Sequence, residues 1–542
     1  MMKYFLVFII SIFVGQGGFA QYASHKMMPD KSKKVVTDFN DWSYKLSTTI
    51  SKKDLKDHIY TLASDEYEGR ETGTDGNTKA AHYIAKEFEK LGLPTIGNNN
   101  SYFQPVAFTF TSWEKLTLGI GDRSYKLLRD FISFPQYSTN GDFSAEEIVF
   151  LGYGIEDANH NDYKNVDVSD KIVMVFDGEP TDADGVSLIT KSQDKSKWST
   201  DWSTKSKIAK KNGAKMLLVV ANDLKTMIND NRRQLVNRVT QLGNFANMEQ
   251  AGVNTIFLSS KVAEDVIGAQ RGDLIMRRNK LAAGEDVSLL TQLPISIRSS
   301  FALNKNVLEG QNVMGFIEGS SKKDEIVVVS AHYDHVGMKG VEVYNGADDN
   351  ASGTTTVLEI AEALATAKKM KNGPKRSVLC LLVTGEEKGL LGSQYYASNP
   401  IFPLENTIVD VNIDMVGRWG KEYSSEEEPY IYVIGSDRLS QDLHDVNEKN
   451  NQKYSQLLLD YKYNSEEDPN RFYFRSDHYN FAKNGIPAIF FFNGVHEDYH
   501  RLTDTVDKID LNLMEYRAKQ IFHTVWDLAN RDDRIRVNAD AK

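Results

Sequence analysis

The carboxyl-terminal half of the chain predicts an α/β fold with a mixed, mostly parallel central sheet flanked by helices. From residue 295 onward, short apolar runs of strand length alternate with segments of helical spacing. Asp324–Ser330 is apolar on both faces, which is typical of a strand buried in a parallel sheet. Ser352–Met370 is strongly amphipathic and predicts a helix. Strands that alternate with helices imply a sheet covered on both sides. The further strands predicted here are 377–383, 407–413, 430–434 and 486–492.

Two predicted helices, 54–64 and 78–91, lie nearer the amino terminus. In the second, Ala80, Ile84 and Phe88 can share one face, and Gly92 follows as a carboxyl-terminal cap. The glycine-rich link between the two helices predicts a loop. Residues 21–47 are polar, and we expect them to form a loosely ordered lead-in.

The middle of the chain has a different pattern. Short β-like runs are separated by long polar stretches rich in Asp, Ser, Lys and Asn, and no catalytic cluster stands out among them. This pattern predicts a separate β-rich insert, to which we assign residues 111–293. The runs are 147–151, 171–176, 216–220 and 254–258.

Composition indicates a folded protein that does not bind nucleic acid. The 542 residues are 41% hydrophobic and 26% charged, which is ordinary for a globular protein. The formal net charge is −11, which argues against a nucleic-acid surface. The single cysteine, Cys380, lies inside an apolar run and predicts a buried thiol, since it has no partner for an intrachain disulfide.

The amino terminus has the pattern of a signal peptide, which we assign to residues 1–20. Lys3 supplies a positive charge, Tyr4–Val14 is an apolar run, and Gly18-Phe19-Ala20 is a small-x-small cleavage signal. The apolar run is shorter than the roughly 20 residues that a membrane span needs. We therefore expect a chain that is exported to the periplasm or secreted, without stable membrane insertion.

Side chains able to bind or serve a metal follow several of the predicted strands. An α/β protein builds its sites at the carboxyl ends of parallel strands. Histidine and carboxylate ligands suit zinc, although other divalent metals also use them. Each residue alone has an ordinary explanation as a solvated loop residue or a helix cap, so it is their joint occurrence that predicts a metal site. The residues are His332, Asp349, Glu386, Glu387, Asp414 and His500.

Three local patterns suggest how these side chains divide their tasks. His332 and Asp334 are two residues apart on extended backbone, so they point the same way and Asp334 could orient a metal-binding His332, although a surface loop explains the pair equally well. Of two adjacent aspartates in 346–353, one suffices to cap the following helix and the second can reach a metal. Of two adjacent glutamates in 384–387, a metal hydrolase needs one as ligand and one to move a proton.

The order of these motifs resembles a known group of enzymes, the co-catalytic zinc exopeptidases of the bacterial leucyl aminopeptidase and glutamate carboxypeptidase II type. The resemblance implies a peptidase domain formed by residues 48–110 and 294–532, with 533–542 as a tail. The insert resembles the protease-associated domain found in many of these enzymes. The motifs are His-x-Asp at 332–334, Gly-Ala-Asp-Asp-Asn-Ala-Ser-Gly at 346–353, Glu-Glu at 386–387, Ile-Asp-Met at 413–415 and Tyr-His-x-x-x-Asp-Thr at 499–505.

The resemblance implies two Zn²⁺ ions per chain. By the family pattern, Asp349 would bridge the two ions. His332 and Asp414 would complete one position, and Glu387 and His500 would complete the other.

The resemblance also implies catalytic roles. Glu386 matches the general base, and Asp334 matches the carboxylate that orients His332. Tyr473 resembles a tyrosine that steadies the oxyanion in some members, with an ordinary buried aromatic as the alternative. Arg70, in the amino-terminal segment 65–70, is expected to have a structural role only.

The function implied is that of an exported zinc-dependent aminopeptidase acting on peptides with a free amino terminus. A carboxypeptidase or dipeptidase of the same fold remains an alternative, because the ligands do not separate these activities. A glutaminyl cyclase with one zinc, or a metal-free receptor-like relative, is a further alternative. The presence of every ligand for two metals weighs against the cyclase, and the intact Glu386 with both histidines weighs against the receptor-like relative.

Overall fold

The computed structural model describes residues 25–182, 184–243, 251–267, 278, 280 and 292–539. These residues form two compact units. The first comprises the described residues up to Val106 and those from Glu309 onward, and the second comprises those within 107–308. The predicted insert, 111–293, lies inside the second unit, while the predicted signal peptide lies outside the described residues.

The strands and helices are numbered here in chain order. The strands are β1 Lys26–Met27, β2 Phe103–Ile120, β3 Arg123–Tyr125, β4 Phe131–Ile132, β5 Gly141–Ala145, β6 Ile148–Phe150, β7 Ile172–Phe176, β8 Met216–Val220, β9 Val239–Leu242, β10 Asn254–Leu258, β11 Gln292–Leu293, β12 Ile297–Ile317, β13 Lys322–His332, β14 Gly337–Lys339, β15 Glu342–Tyr344, β16 Arg376–Val383, β17 Thr407–Ile413, β18 Tyr430–Ile434, β19 Leu458–Asp460 and β20 Ala488–Phe492. The helices are α1 Trp42–Ser47, α2 Lys52–Leu62, α3 Asp75–Leu91, α4 Lys197–Thr200, α5 Ser203–Lys211, α6 Leu224–Asp230, α7 Arg232–Val236, α8 Ser260–Ile267, α9 Gly353–Lys369, α10 Leu391–Ser398, α11 Gln441–Asn450, α12 His478–Ala482 and α13 Leu511–Asn530.

The first unit is built on a mixed sheet whose order is β1-β19-β18-β20-β17-β13-β16-β12. The four central strands β16, β13, β17 and β20 are parallel to one another. β12 pairs antiparallel with β16, and β18 pairs antiparallel with β20. The sheet is therefore mixed and mostly parallel, as the sequence predicts, and the carboxyl ends of its four central strands meet at one edge.

Helices cover both faces of this sheet because successive side chains of a strand point to opposite sides. In β13, Val327 and Val329 belong to a core that contains apolar residues of α1, α2, α3, α9 and α13. Val328, between them, belongs to a second core with Tyr396 of α10 and Phe481 of α12. This alternation explains why the β13 sequence is apolar without interruption.

The amino-terminal lead-in is more ordered than the sequence predicts. Lys26–Met27 pairs antiparallel with β19, and α1 starts at an aspartate cap, Asp41, whose side chain accepts from the Tyr44 N–H. Lys453 also donates to Asp41. The polar composition predicts a loosely ordered segment. In the structure, the backbone of β1 and the side chain of Asp41 make hydrogen bonds with residues far along the chain.

The second unit contains helices as well as the predicted short strands. Its sheet has the order β11-β6-β7-β8-β10-β4, and β6, β7, β8 and β10 run parallel. The helices α5 and α8 contribute to its cores, so "β-rich" describes this unit only in part. Among the described residues, no helix combines the length and the apolar character required to cross a membrane.

Candidate metal centre

The predicted ligands come together at the carboxyl-terminal edge of the four central strands. His332 is the last residue of β13, Glu386 and Glu387 follow β16, and Asp414 directly follows β17. His500 lies in the loop after β20. Because the strands are parallel, one edge of the sheet collects side chains from distant parts of the sequence.

One group of donors surrounds His332. Its Nε2 atom lies 3.3 Å from Asp414 Oδ1 and 3.5 Å from Asp349 Oδ1. Glu386 Oε2 is farther away, at 4.0 Å. The other oxygen of Asp414 accepts a hydrogen bond of 2.8 Å from Ser476, which leaves Oδ1 directed at the histidine.

A second group of donors surrounds His500. Its Nε2 atom lies 3.0 Å from Asp349 Oδ2 and 3.1 Å from Glu387 Oε1. Asp349 therefore contributes one oxygen to each group. A further residue, His335, lies against the same two carboxylates and is not among the ligands predicted from the sequence. The available signal was a second histidine three residues after His332.

The two aspartates of the 346–353 motif have different surroundings. Asp348 accepts hydrogen bonds from the Gly417 N–H and the Asn493 amide, which holds the turn against the loops after β17 and β20. Asp349 faces the two histidine groups. The carboxylate of Asp504 accepts the backbone N–H groups of both aspartates and so fixes their turn.

Asp334 lies under the Glu386-Glu387 turn. Its carboxylate accepts the N–H groups of both glutamates, at 3.1 and 3.4 Å. Nδ1 of His332 is 3.0 Å from the backbone oxygen of Asp334, and 3.8 Å from its nearer carboxylate oxygen. The structure thus differs from the predicted role, since the backbone of Asp334 orients His332 and its side chain orients the glutamates.

Arg70 is almost fully buried and ties together the segments around the site. Its guanidinium donates four hydrogen bonds to backbone carbonyl groups. Burial lowers its pKa to about 10, so it stays protonated at neutral pH. The carbonyl groups belong to Leu62, Tyr333, Asn345 and Gly346. Tyr333 follows His332, and Gly346 begins the turn that carries Asp349. Through these two carbonyl groups Arg70 holds in place the backbone that carries both donors.

The carboxylates and imidazoles shift one another's pKa values. Burial raises the pKa of Glu386 well above its usual range, and the nearby Glu387 carboxylate adds to this effect, while His332 opposes it. Burial alone would raise the pKa of Glu387, but the rings of His335 and His500 bring it well below its usual range. Burial disfavours protonation of His500, yet Asp349 and Glu387 raise its pKa to about 10.

The donor set fits a pair of divalent cations. Four carboxylates converge in a largely buried place, which is costly unless they are paired or bind metal. Asp349 Oδ2 is buried without a hydrogen-bond partner among the described residues. Nitrogen and oxygen donors in this mixture suit zinc. The residues present therefore match the metal that the sequence motifs imply.

A small cavity opens beside the donors. It is lined by His332, Asp349, Glu386, Asp414, Met415, Phe472, Arg475, Phe490, Phe492, Val495 and Tyr499. Tyr473 does not line it; its ring packs under the Arg438 guanidinium and against His478. Tyr499, whose ring stacks on His500, lies on the cavity instead. A larger cavity of about 280 Å³ lies in the second unit, but none of the predicted ligands lines it.

This arrangement coincides with the part of the chain that matches a known family. Residues 312–525 match the family model of Peptidase family M28. This segment contains both donor groups, Glu386 and both tyrosines.

Curated relatives share this region of the sequence. A probable leucine aminopeptidase of Trichophyton verrucosum (strain HKI 0517) is 30% identical over 225 residues, which is 40% of this chain and 57% of that protein. A probable zinc metalloprotease of Pyrenophora teres f. teres (strain 0-1) is 30% identical over 161 residues, 28% of this chain and 31% of that protein. The chain thus spans little more than half the length of the first of these relatives and about a third of the second.

Solved structures align with most of the chain at low sequence identity. The aminopeptidase from Aneurinibacillus sp. strain AM-1 is 21% identical, with a TM-score of 0.49. That comparison covers 92% of this chain and 97% of the other.

Proposed function

We propose that the protein is a zinc-dependent aminopeptidase with two metal positions that share Asp349. The observation that supports this most strongly is the division of donors into two groups, with one oxygen of Asp349 directed at each. The match to Peptidase family M28 and the names of the curated relatives support the same conclusion. The first position would be held by His332, Asp349 and Asp414, and the second by Asp349, Glu387 and His500.

Zinc bound at these positions would supply Lewis acidity, which polarises the scissile carbonyl group and makes water a better nucleophile. The chain's own contribution is orientation. Asp334 fixes both glutamates through their backbone N–H groups, and Asp504 fixes the turn that carries Asp349. These contacts hold the donors in place before a substrate arrives.

Glu386 is the group best placed to move protons. Its carboxylate lies on the cavity and is farther from His332 Nε2 than either Asp349 or Asp414 is. We assign it the general base that takes a proton from the attacking water and returns it to the leaving amine. A general base must face the substrate and must not itself be bound to the metal.

The apolar wall of the cavity favours an apolar side chain at the substrate's amino terminus. Met415, Phe472, Phe490 and Phe492 line it together with Val495. An apolar pocket binds an apolar side chain through the surface that both remove from water. Arg475 also lines the cavity, and its charge would suit a substrate carboxylate, so assays with blocked peptides decide between the aminopeptidase and the carboxypeptidase alternative.

The test is Glu386→Gln, measured with an aminoacyl nitroanilide and by zinc analysis. We expect turnover to fall by at least about 100-fold, the contribution typical of general acid–base catalysis. The zinc content should stay at the wild-type value, because Glu386 is not in either ligand set. Glu359→Gln, which replaces another buried carboxylate of the same unit, is the matched control and should keep both activity and zinc.

The outcomes separate the alternatives. Wild-type turnover in Glu386→Gln would remove Glu386 as the base. Two zinc ions per wild-type chain support the peptidase, one would favour the cyclase, and none would favour a receptor-like protein. Cleavage only of amino-terminally blocked peptides would refute the aminopeptidase assignment.

We also propose that the protein acts outside the cytoplasm. The signal-peptide pattern of residues 1–20 supports this proposal. Amino-terminal sequencing of the protein recovered from the periplasm or the medium should find a chain that begins near Gln21. Recovery of the uncleaved chain from the cytoplasm alone would contradict it.

A further inference from the structure

His335 is a buried histidine whose position is fixed from several sides. It follows β13 by three residues and is fully buried. Its backbone N–H donates to the Arg70 carbonyl oxygen at 3.3 Å. A Cβ atom on Gly346 would lie 2.5 Å from the His335 ring, so the ring fits there because residue 346 is a glycine. The ring therefore cannot move far from where it lies.

The ring is directed at the second donor group. Nδ1 lies 3.1 Å from Glu387 Oε1 and 3.6 Å from Asp349 Oδ2, and the ring meets that of His500 edge-on. Among the described residues, neither ring nitrogen makes a hydrogen bond of acceptable angle, although Nδ1 is within 3.1 Å of Glu387 Oε1. Buried polar groups are nearly always satisfied, so an imidazole that faces two carboxylates in this way points to a cation bound between them.

We propose that His335 Nδ1 is a fourth protein ligand of the second metal position, which makes the two positions unequal. This inference rests on the two metal positions of the proposed function. The second position then has two histidines and two carboxylates: His335, His500, Asp349 and Glu387. The first has one histidine and two carboxylates: His332, Asp349 and Asp414.

The difference in ligand number predicts that the two metal positions have different roles. Zinc sites with four protein ligands are typically closed and structural, whereas catalytic sites keep one position open with three. The second position is therefore the tighter and slower to exchange. The first position, which lies on the cavity through His332, Asp349 and Asp414, is the one with a place for water and substrate.

The experiment measures zinc binding directly rather than activity. Metal-free full-length protein is titrated with Zn²⁺ against a fluorescent zinc chelator, and bound zinc is counted by mass spectrometry of the metal. The variants are His335→Ala, His335→Asn and His335→Gln. An asparagine places its Oδ1 at the same distance from Cβ as histidine Nδ1, whereas the glutamine oxygen reaches farther along the side chain. The matched control is His523→Ala, which removes another buried histidine of the same unit that stacks on Tyr454.

We expect wild type to bind one zinc tightly and one more weakly. His335→Ala should raise the Kd of the tight site by about 100-fold or more. Loss of a residue that only hydrogen-bonds to a metal ligand already lowers metal affinity by about 10–100-fold, and loss of a ligand should cost at least as much. His335→Asn should keep most of that affinity, and His335→Gln should behave like the alanine variant. His523→Ala should lower the melting temperature without changing either Kd.

Three results would overturn the inference: an unchanged tight Kd in His335→Ala, equal losses in all three variants, or wild-type protein that binds no zinc. Equal losses would mean that the imidazole acts through packing alone. If wild type binds two zinc ions but cleaves no peptide, the proposed function fails while the Kd comparison still decides the role of His335.

Discussion

Replacement of Arg70 by methionine should weaken both the fold and the metal centre. The side chain is almost fully buried, and methionine fills a similar volume without any donor. Of the four backbone carbonyl groups that now accept from the guanidinium, three would lose their partner, while that of Gly346 would keep the Ala351 N–H. Two of the four, at Asn345 and Gly346, lie next to the turn that carries Asp349.

The size of the effect follows from the number of orphaned acceptors. Each buried acceptor left without a donor costs about 1 kcal/mol at the lower end of the usual range. Three orphaned acceptors therefore cost about 3 kcal/mol. The first unit has about 300 described residues, and an unfolding entropy of about 2.1 cal/mol/K per residue gives about 0.6 kcal/mol/K. The melting temperature of this unit should then fall by about 5 °C.

The assay is thermal unfolding followed by calorimetry, together with zinc titration. Arg376→Met is the matched control. Arg376 is also fully buried and donates to the carbonyl groups of Leu528 and Arg531, at the amino-terminal end of β16 and so at the opposite end from Glu386. Both variants should lower the melting temperature, but only Arg70→Met should weaken zinc binding, by roughly tenfold or more.

A shift of less than about 2 °C in Arg70→Met would refute this prediction, since it would mean that water or other groups satisfy the three orphaned carbonyl groups. Equal loss of zinc in both variants would also refute it. In that case general destabilisation, and not the anchoring of the Asp349 turn, would control metal binding.

Two further predictions concern other parts of the first unit. Burial raises the pKa of Glu359 to about 8 from an unfolded value of 4.5, so the folded state holds more protons than the unfolded state between these two pH values. The stability of the fold should therefore fall as pH rises through that window. Glu359→Gln should flatten the fall in melting temperature between pH 6 and 8, and an unchanged slope would contradict this prediction. Tyr499→Phe should lower kcat by about tenfold or more if its hydroxyl serves the transition state, while Tyr473→Phe should leave kcat near wild type because that ring lies off the cavity. If Tyr473→Phe lowered kcat in nitroanilide assays and Tyr499→Phe did not, Tyr473 would be the tyrosine that steadies the oxyanion.

The sheet and most of the donors could be predicted from sequence because their signals are local. The apolar runs that form β13, β16, β17 and β20 are each readable within a few residues, and a polar residue after each run marks the strand end. Parallel pairing then brings these ends together without further information. The acidic pairs are informative for the same reason, since the preceding strand β16 places the two glutamates and the following helix α9 places the two aspartates.

The remaining features depend on contacts between distant segments. His335 faces the site only because the backbone turns after β13 and Gly346 leaves room for its ring, neither of which the spacing of histidines reveals. Tyr473 lies in the short 3-10 helix Phe472–Phe474 and Tyr499 lies in a turn, so their spacing from strand ends does not determine which ring lines the cavity. The lead-in pairs Lys26 with Asp460, and a pairing across that separation leaves no pattern in either segment.

The place of each donor along the chain ties the second metal position to β20. The side chains of the first group, His332, Asp349 and Asp414, lie between β13 and the end of β17. The second group also needs His500, which the pairing of β20 with β17 brings to the site. Separation of β20 from β17 would therefore take a ligand away from the second position alone.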